Sequence, residues 1–314
     1  MYKEKTIAVV VPAYNEEKFI GRVISTMPTY VDKIIVVDDG SGDRTSEIAK
    51  SFEDSRIILL RHEANRGVGA AIATGYRRAL EEDADIVAVM AGDAQMDPEY
   101  LPELLDPVVE GSADYTKGNR LLSPDFRKNM PKFRFFGNSI LSFLTKVSSG
   151  YWHVMDTQNG YTAISKKALS LLDLDDIYPR YGYCNDILVK LNVFKVKVKD
   201  VEIPAVYGEE KSKIKLPKYT ISLSYLLIKK FFWRLNEKYV KRDFHPLVLF
   251  YMVGLILAPL GFILGLEVIY YRITAHAVSI PTVILTALLL ITGIQFILFA
   301  MLFDMEENRM EQRL

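Results

Sequence analysis

Ile34-Ile-Val-Val-Asp-Asp-Gly-Ser41 is an unbroken apolar run that ends in two adjacent carboxylates, a glycine and a hydroxyl. A run of β-branched residues bounded by turn formers reads as a buried strand of a parallel sheet. Ligands of open α/β sheets sit just outside the carboxyl ends of such strands. Asp38 and Asp39 therefore stand where a ligand is expected, and an isolated buried carboxylate is too costly to leave without partners. The alternative is that one of them caps a helix beginning near Thr45, since Asp, Gly and Ser are favoured turn and cap formers.

Working outward, short apolar runs at 7–11, 33–37, 57–60 and 86–90 alternate with amphipathic stretches at 17–27, 45–52 and 69–80. This β-α-β series predicts a parallel sheet with helices on both faces. Beyond residue 110 the pattern is mixed, with strands expected near 115–118 and 161–165. A Lys/Val alternation at 195–201 suits a lysine-protected edge. Gly67-Val68-Gly69 opens a helix after a strand, but Ile72 stands at the third glycine of a dinucleotide fingerprint and the unit follows the third strand, so an NAD site is not expected.

The 314 residues carry a net charge of zero, which argues against a nucleic-acid-binding protein as a whole. Cys184 is the only cysteine, so no intrachain disulfide forms and a reducing compartment is expected. His62, His153, His245 and His276 have no metal-ligand spacing. Residues 1–5 are short and charged and the apolar run after them ends at Pro12, which does not fit a secretory signal.

The C-terminal third differs. Residues 247–266 and 280–303 contain no charged side chain, and at about 1.5 Å per residue each is long enough to cross a hydrocarbon core of about 30 Å. Two membrane-spanning helices are expected, at about 247–268 and 280–303, within a region 245–304. A buried soluble hairpin is the alternative, although such a helix normally shows a polar face. Ahead of the first span, residues 211–244 carry Lys211, Lys213, Lys215, Lys218, Lys229, Lys230, Arg234, Lys238, Lys241 and Arg242. Arg272 is the only such residue in the connecting loop. The positive-inside rule then puts residues 1–210 and the tail 305–314 on the cytoplasmic face of a multi-pass cell-membrane protein. Ile221, Tyr225, Ile228, Phe232 and Leu235 recur at helical spacing within the basic segment. They suggest an interfacial amphipathic helix, with packing against the soluble domain as the alternative.

The strand ends supply the chemistry. Pro12-Ala13-Tyr14-Asn15-Glu16, Asp38-Asp39-Gly40-Ser41, Asn65-Arg66-Gly67 and Gly92-Asp93-Ala94-Gln95-Met96-Asp97 would share one rim. Tyr14 suits stacking on a base, and acidic side chains accept from base N–H groups or ribose hydroxyls. Asp93, Gln95 and Asp97 alternate and in an extended segment face one way. Three hard oxygen ligands suit Mg²⁺ or Mn²⁺ with bound phosphates, and an ordinary acidic loop has the same pattern.

These segments, with Gly118-Asn119-Arg120, Arg134, Asn138 and Asp156-Thr-Gln-Asn-Gly-Tyr161, resemble the inverting GT-A glycosyltransferases of family 2. With the hairpin, the chain is most similar to the polyprenyl-phosphate group that includes dolichyl-phosphate mannose and glucose synthases. The resemblance implies an α/β, mostly parallel, Rossmann-like GT-A domain followed by a two-helix transmembrane hairpin. It implies inverting hexosyl transfer from a nucleotide-diphosphate sugar to a polyprenyl (dolichyl) phosphate for glycan assembly. On that resemblance Pro12, Ala13, Tyr14, Glu16, Asp38 or Asp39, Arg66 and Gly67 would bind the donor. Asp93 and Gln95 would hold the metal, with Asp97 added in this chain. Arg120, Arg134 and Asn138 would contact the acceptor phosphate, and Asp156 and Asp186 would face the sugar or position the acceptor. The catalytic set is Asp93, Arg120, Arg134 and Asp156.

Two departures stand out. Ala91 occupies the first position of the family's Asp-Ala-Asp run, and Thr162 follows Gly160-Tyr161 where relatives often carry arginine, leaving Arg66, Lys211 or Lys213 for the diphosphate. A lipid monophosphate has a second pKa near ~6, so it is largely dianionic at neutral pH and needs no strong general base. A processive polysaccharide synthase is disfavoured by the lack of a Gln-x-x-Arg-Trp motif. A catalytically silent nucleotide-sugar scaffold draws its support from Ala91. Tyr207-Gly-Glu-Glu-Lys-Ser212 looks unlike the mannose synthases, which favours a UDP-sugar over GDP-mannose. Membrane lipids are expected partners, and a homo-oligomer is left open.

Overall fold

The structure, a computed structural model, describes residues 1–122, 132–204, 216–274 and 277–313, with side chains except at 122, 132–139 and 216–218. The chain divides into two units, Met1–Phe231 and Phe232–Leu314.

The first unit is built on a seven-stranded sheet of order β3-β2-β1-β4-β6-β5-β7. Its strands are β1 (Ile7–Ala13), β2 (Lys33–Asp38), β3 (Ile57–Arg61), β4 (Ile86–Val89), β5 (Tyr115–Asn119), β6 (Thr162–Ser165) and β7 (Val198–Glu202). All pairings are parallel except those of β6, which runs antiparallel to β4 and β5. Every residue of β1 is buried, as expected for a strand covered on both faces. Successive side chains point to opposite faces. Ile7, Val9 and Val11 join one apolar layer and Ala8 and Val10 the other.

The helices follow the same logic. α1 (Ile20–Ser25), α2 (Thr45–Lys50) and α4 (Leu101–Val109) cover the first layer. α3 (Val68–Glu81) and α7 (Tyr183–Val193) cover the second. α5 (Lys132–Ser149) and the short α6 (Lys166–Leu169) complete the set before the basic segment. β7 is an edge strand, as its Lys/Val alternation predicts.

α8 (Leu216–Asn236) decides between the two readings of the apolar stripe. Leu223, Leu226 and Leu227 are buried against Leu141 of α5, and Ser148 Oγ donates to the Leu227 carbonyl at 2.8 Å. Ile221, Tyr225, Ile228 and Phe232 are 73, 72, 56 and 52% exposed, so the stripe does not pack on the domain; Leu235, by contrast, is buried.

The second unit holds α9 (Leu247–Ile273) and α10 (Ile280–Arg313), both long and apolar enough to cross a membrane. Small residues let the two backbones approach. A methyl group on Gly254 would lie 2.9 Å from the Gly293 carbonyl oxygen, and one on Gly293 would lie 2.4 Å from the Ala258 nitrogen. The stretch expected as a tail, 305–314, continues α10 as helix to Arg313. Two buried carboxylates toward this end of α10, Asp304 and Glu311, are paired. Arg234 Nη1 and Nη2 donate to the two oxygens of Asp304 at 2.8 and 2.9 Å, and Tyr239 Oη donates to Asp304 Oδ1 at 2.7 Å. One helical turn on, Lys238 Nζ donates to Glu311 Oε2 at 2.8 Å. Both Arg234 and Asp304 are wholly buried.

Removing one member of a buried ion pair strands the other charge, at a cost of about 3–5 kcal/mol. Asp304→Ala should therefore sharply lower the melting temperature of the purified chain. Arg234→Met combined with Asp304→Leu should recover most of the loss, and calorimetry of the two variants checks this.

Candidate active site

The loops that leave the carboxyl ends of β1 and β2 are laced together by their own polar groups. The Asn15 N–H donates to Ser41 Oγ at 2.9 Å, and the Gly42 N–H returns a bond to Asn15 Oδ1 at 2.9 Å. Asn15 adopts φ +56°, a left-handed conformation that asparagine tolerates. The Glu16 N–H donates to Thr45 Oγ1 at 2.9 Å. Pro12 and Ala13 are buried beneath this rim, while Tyr14 is 42% exposed on it.

Asp38 and Asp39, expected at the donor, are buried and bonded to partners within the protein. Asp38 is wholly buried and accepts from the Ser41 N–H at 2.8 Å and from the Ser46 hydroxyl. It does not cap α2, where Asp43 accepts from the Thr45 N–H at 3.0 Å. Asp39, 2% exposed, accepts from His62 Nδ1 at 2.7 Å, the Arg66 N–H at 2.9 Å and the Gly67 N–H at 2.7 Å. The physical reason is desolvation: carboxylates this deep need donors of their own, and the turns supply them.

Gly67, also expected at the donor, has a structural demand on it as well. Its N–H is taken by Asp39 and its φ is +103°. A Cβ there would lie 2.4 Å from the Pro179 carbonyl oxygen, and one on Gly69 would lie 2.1 Å from that of Tyr178. The glycine pair thus admits a neighbouring strap of backbone, and Ala70 N–H donates to Pro179 O at 3.1 Å. The Arg66 side chain is exposed on the same loop.

A cleft of about 60 Å³ brings together Asp93, Gln95, Asp97, Arg120, Asn159 and Tyr161. Asp93 Oδ1 accepts from the Gln95 N–H at 3.0 Å, and Asp97 Oδ1 accepts from the Glu99 N–H at 2.9 Å. Among the described residues no group of three His, Cys, Asp or Glu side chains forms a metal site. Two carboxylates and an amide oxygen on one wall nonetheless fit a hard cation that draws its remaining ligands from phosphates and water, as Mg²⁺ does.

Arg120 reaches this cleft in a fixed orientation. Its Nε and Nη2 bond the two oxygens of Asp156 at 2.8 and 3.2 Å, and its N–H adds a contact at 3.2 Å. Asp156 is 4% exposed, so it orients the arginine rather than presenting itself to a ligand. The loop it belongs to is held by residues the sequence did not single out. Buried Lys117 donates to the Asn159 carbonyl, Asn159 Nδ2 to the Gly118 carbonyl at 2.8 Å, and the Met155 N–H to Asp200 Oδ2 at 2.8 Å. Burial pushes the Asp200 carboxyl above its ordinary value and the Tyr161 phenol likewise, leaving Tyr161 a donor to Asp97 O at 3.0 Å. A lysine inside the run Tyr115-Thr-Lys-Gly-Asn119 is a sequence signal from which this support could have been found.

Asp186 does not face the cleft's sugar position as expected. It is wholly buried and pairs with Lys230 of α8 at 2.7 Å and with Lys190 at 3.3 Å. The side chains of Arg134 and Asn138, and residues Lys211 and Lys213, lie outside the described residues.

A mostly parallel sheet with an acidic loop, an arginine and an exposed aromatic at its carboxyl rim defines a GT-A-type glycosyltransferase. The chain belongs to glycosyl transferase family 2, whose model matches residues 8–172. The UDP-N-acetylglucosamine–dolichyl-phosphate N-acetylglucosaminyltransferase of Methanococcus voltae is 36% identical over 221 residues, covering 66% of this chain and 88% of that protein. The undecaprenyl-phosphate mannosyltransferase of Micrococcus luteus is 28% identical over 209 residues, 65% of this chain and 84% of that one. Its homologues are thus polyprenyl-phosphate sugar transferases. Among solved structures, glucosyl-3-phosphoglycerate synthase from Mycobacterium tuberculosis, in complex with Mn²⁺, UDP-glucose and glycerol 3-phosphate, superposes with TM-score 0.53 at 22% identity. That match covers 74% of this chain and 80% of that one, and it shows the shared fold.

Gly67→Ala should destabilise the protein by roughly 1–3 kcal/mol through its left-handed backbone alone, and by more where Pro179 must move. Thermal melting checks this, and a variant as stable as the parent would refute the packing role.

Proposed function

We propose that this glycosyltransferase moves a sugar from a UDP-sugar to a membrane-borne polyprenyl phosphate with inversion at the anomeric carbon. The observation that carries the reading is the single cleft shared by Asp93, Gln95, Asp97 and Arg120. Carboxylates and an oriented guanidinium lining one cleft suit a site that handles a diphosphate leaving group and a phosphate nucleophile together. The name of the Methanococcus voltae relative joins a UDP-sugar to a dolichyl phosphate, which supports UDP-N-acetylglucosamine as the first donor to test.

The roles follow from charge. Tyr14 stacks on the nucleobase, and Asp39 acts on the donor through the Arg66–Gly67 loop that it orders. Asp93 and Asp97, with the Gln95 amide oxygen, would hold Mg²⁺ or Mn²⁺, which when bound offsets the charge on the departing diphosphate. Arg120, oriented by Asp156, grips the acceptor phosphate and lowers its repulsion from the donor. Arg134 and Asn138 share that task by resemblance, and Lys211 and Lys213 stand for the arginine replaced by Thr162. A phosphate oxygen attacks the anomeric carbon as the bond to the diphosphate breaks, and no protein nucleophile is required. α9 and α10 span the bilayer, the catalytic unit lies on the cytoplasmic side, and Ile221, Tyr225 and Ile228 rest in the interface.

Purified protein incubated with Mn²⁺, a polyprenyl phosphate and radiolabelled nucleotide sugars should place label in the organic phase. Absence of labelled lipid with every donor sinks the reading. Asp93→Ala and Arg120→Ala should each lower the transfer rate by about 10²–10³-fold, the size seen when one stabilising group is removed from a charged transition state.

A further inference from the structure

The loop that orients Arg120 is bonded to the helix that carries the exposed apolar stripe. Tyr219, near the start of α8, donates its hydroxyl to Gln158 Oε1. Burial pushes the Tyr219 phenol well above its ordinary value, so it stays a donor across the working pH range. Gln158 lies two residues beyond Asp156, and its amide Nε2 donates to Asn185 Oδ1 at 3.3 Å. Asn185 is wholly buried and also receives Thr145 Oγ1 of α5 at 3.4 Å. Further side-chain ties to this loop come from the sheet, through Lys117 and Asp200, and from α7, where Cys184 Sγ donates to the Asn159 carbonyl at 3.5 Å.

The two faces of α8 therefore do different work. Tyr219, Leu223, Leu226, Leu227 and Lys230 point to the catalytic unit, while Ile221, Tyr225 and Ile228 point away. A rotation or lift of α8 that buries or exposes the stripe must carry Tyr219 with it, because both sit on one rigid helix. The Tyr219 hydroxyl is then either on Gln158 or off it.

Resting on the polyprenyl-phosphate reading above, we propose that Gln158 is a positioning residue that couples the seating of α8 on a lipid surface to the Arg120–Asp156 pair. With α8 seated, the Tyr219–Gln158 bond holds the loop and the guanidinium in line for the acceptor phosphate. With α8 lifted, the loop keeps its ties to the sheet and to α7 but loses the one from α8, and the aim of Arg120 relaxes.

The test uses the full chain in lipid nanodiscs and two readouts. In hydrogen exchange, Ile228→Asp should loosen α8 and raise exchange of the Thr157–Tyr161 amides several-fold. Tyr219→Phe should raise it equally, and adding Ile228→Asp to Tyr219→Phe should raise it no further. In transfer assays, Tyr219→Phe should lose about fivefold in kcat, the size of one neutral hydrogen bond, with KM for the nucleotide sugar unchanged. Gln158→Leu, which also breaks the bond to Asn185, should lose at least as much, and a double variant no worse than Gln158→Leu alone is the signature of the shared interaction. Additive losses, a shift confined to KM, or loop exchange that ignores Ile228→Asp overturns the coupling. A wild-type protein that transfers no sugar overturns the functional reading instead, and the exchange arms still decide whether α8 and the loop are linked.

Discussion

The Asp39 carboxylate is the point on which the rim at the carboxyl ends of β2 and β3 depends. It sits at the carboxyl end of a central strand, 2% exposed, and gathers a ring nitrogen of His62 and two successive backbone N–H groups from the Arg66–Gly67 turn. A buried anion is tolerable only when donors surround it, so the loop after β3 has little choice of path. Gly67 then takes a left-handed conformation, and its missing Cβ lets the Tyr178–Pro179 backbone pass. His62 is fixed in turn by Thr74 on α3, with Nε2 and Oγ1 3.0 Å apart. One carboxylate thus ties β2, β3, α3 and the strap before α7 into a single wall.

The Arg120 side of the cleft follows the same rule with a different partner. Asp156 is buried and its oxygens are occupied by Arg120, whose side chain is 38% exposed. A flexible arginine facing solvent would spread its charge over many rotamers. A planar guanidinium held on two points presents its remaining edge in one direction, which is what recognition of a phosphate needs. The buried acid therefore serves by aiming a cation, and the two acidic pairs at the strand ends have divided labour: Asp38 and Asp39 build turns, while Asp93 and Asp97 line the cleft.

Most of the fold was legible because apolar periodicity survives translation into structure: all seven expected strands form, and the edge role of β7 followed from its alternating lysines. The site was legible as a set of positions, since strand ends are marked by abrupt changes from apolar to polar residues. Direction was not legible. Nothing in Val37-Asp-Asp-Gly-Ser41 tells whether a carboxylate points out to a ligand or back to Ser46 and His62, because the partners come from segments distant in sequence. Asp186 failed for the same reason, its partner Lys230 lying on a later helix. The end of α10 was missed because hydropathy stops at Asp304, whereas the helix continues on buried pairs such as Lys238–Glu311.

The exposed stripe on α8 also bears on why the chain has two kinds of lipid contact under the proposed function. A transmembrane hairpin anchors a protein far more firmly than an interfacial helix does, so Ile221, Tyr225 and Ile228 are not needed to keep the enzyme at the membrane. Large apolar side chains more than half exposed carry a solubility cost unless something covers them. Their value is orientation: a hairpin leaves a tethered domain free to tumble above the bilayer, whereas a second contact within the catalytic unit fixes which way its cleft faces. A phosphate confined to the headgroup layer is reachable only from a cleft held at that height. An acceptor on a surface thus turns a binding problem into one of geometry, and the ties from α8 to Gln158 and Asp186 are where the chain meets it.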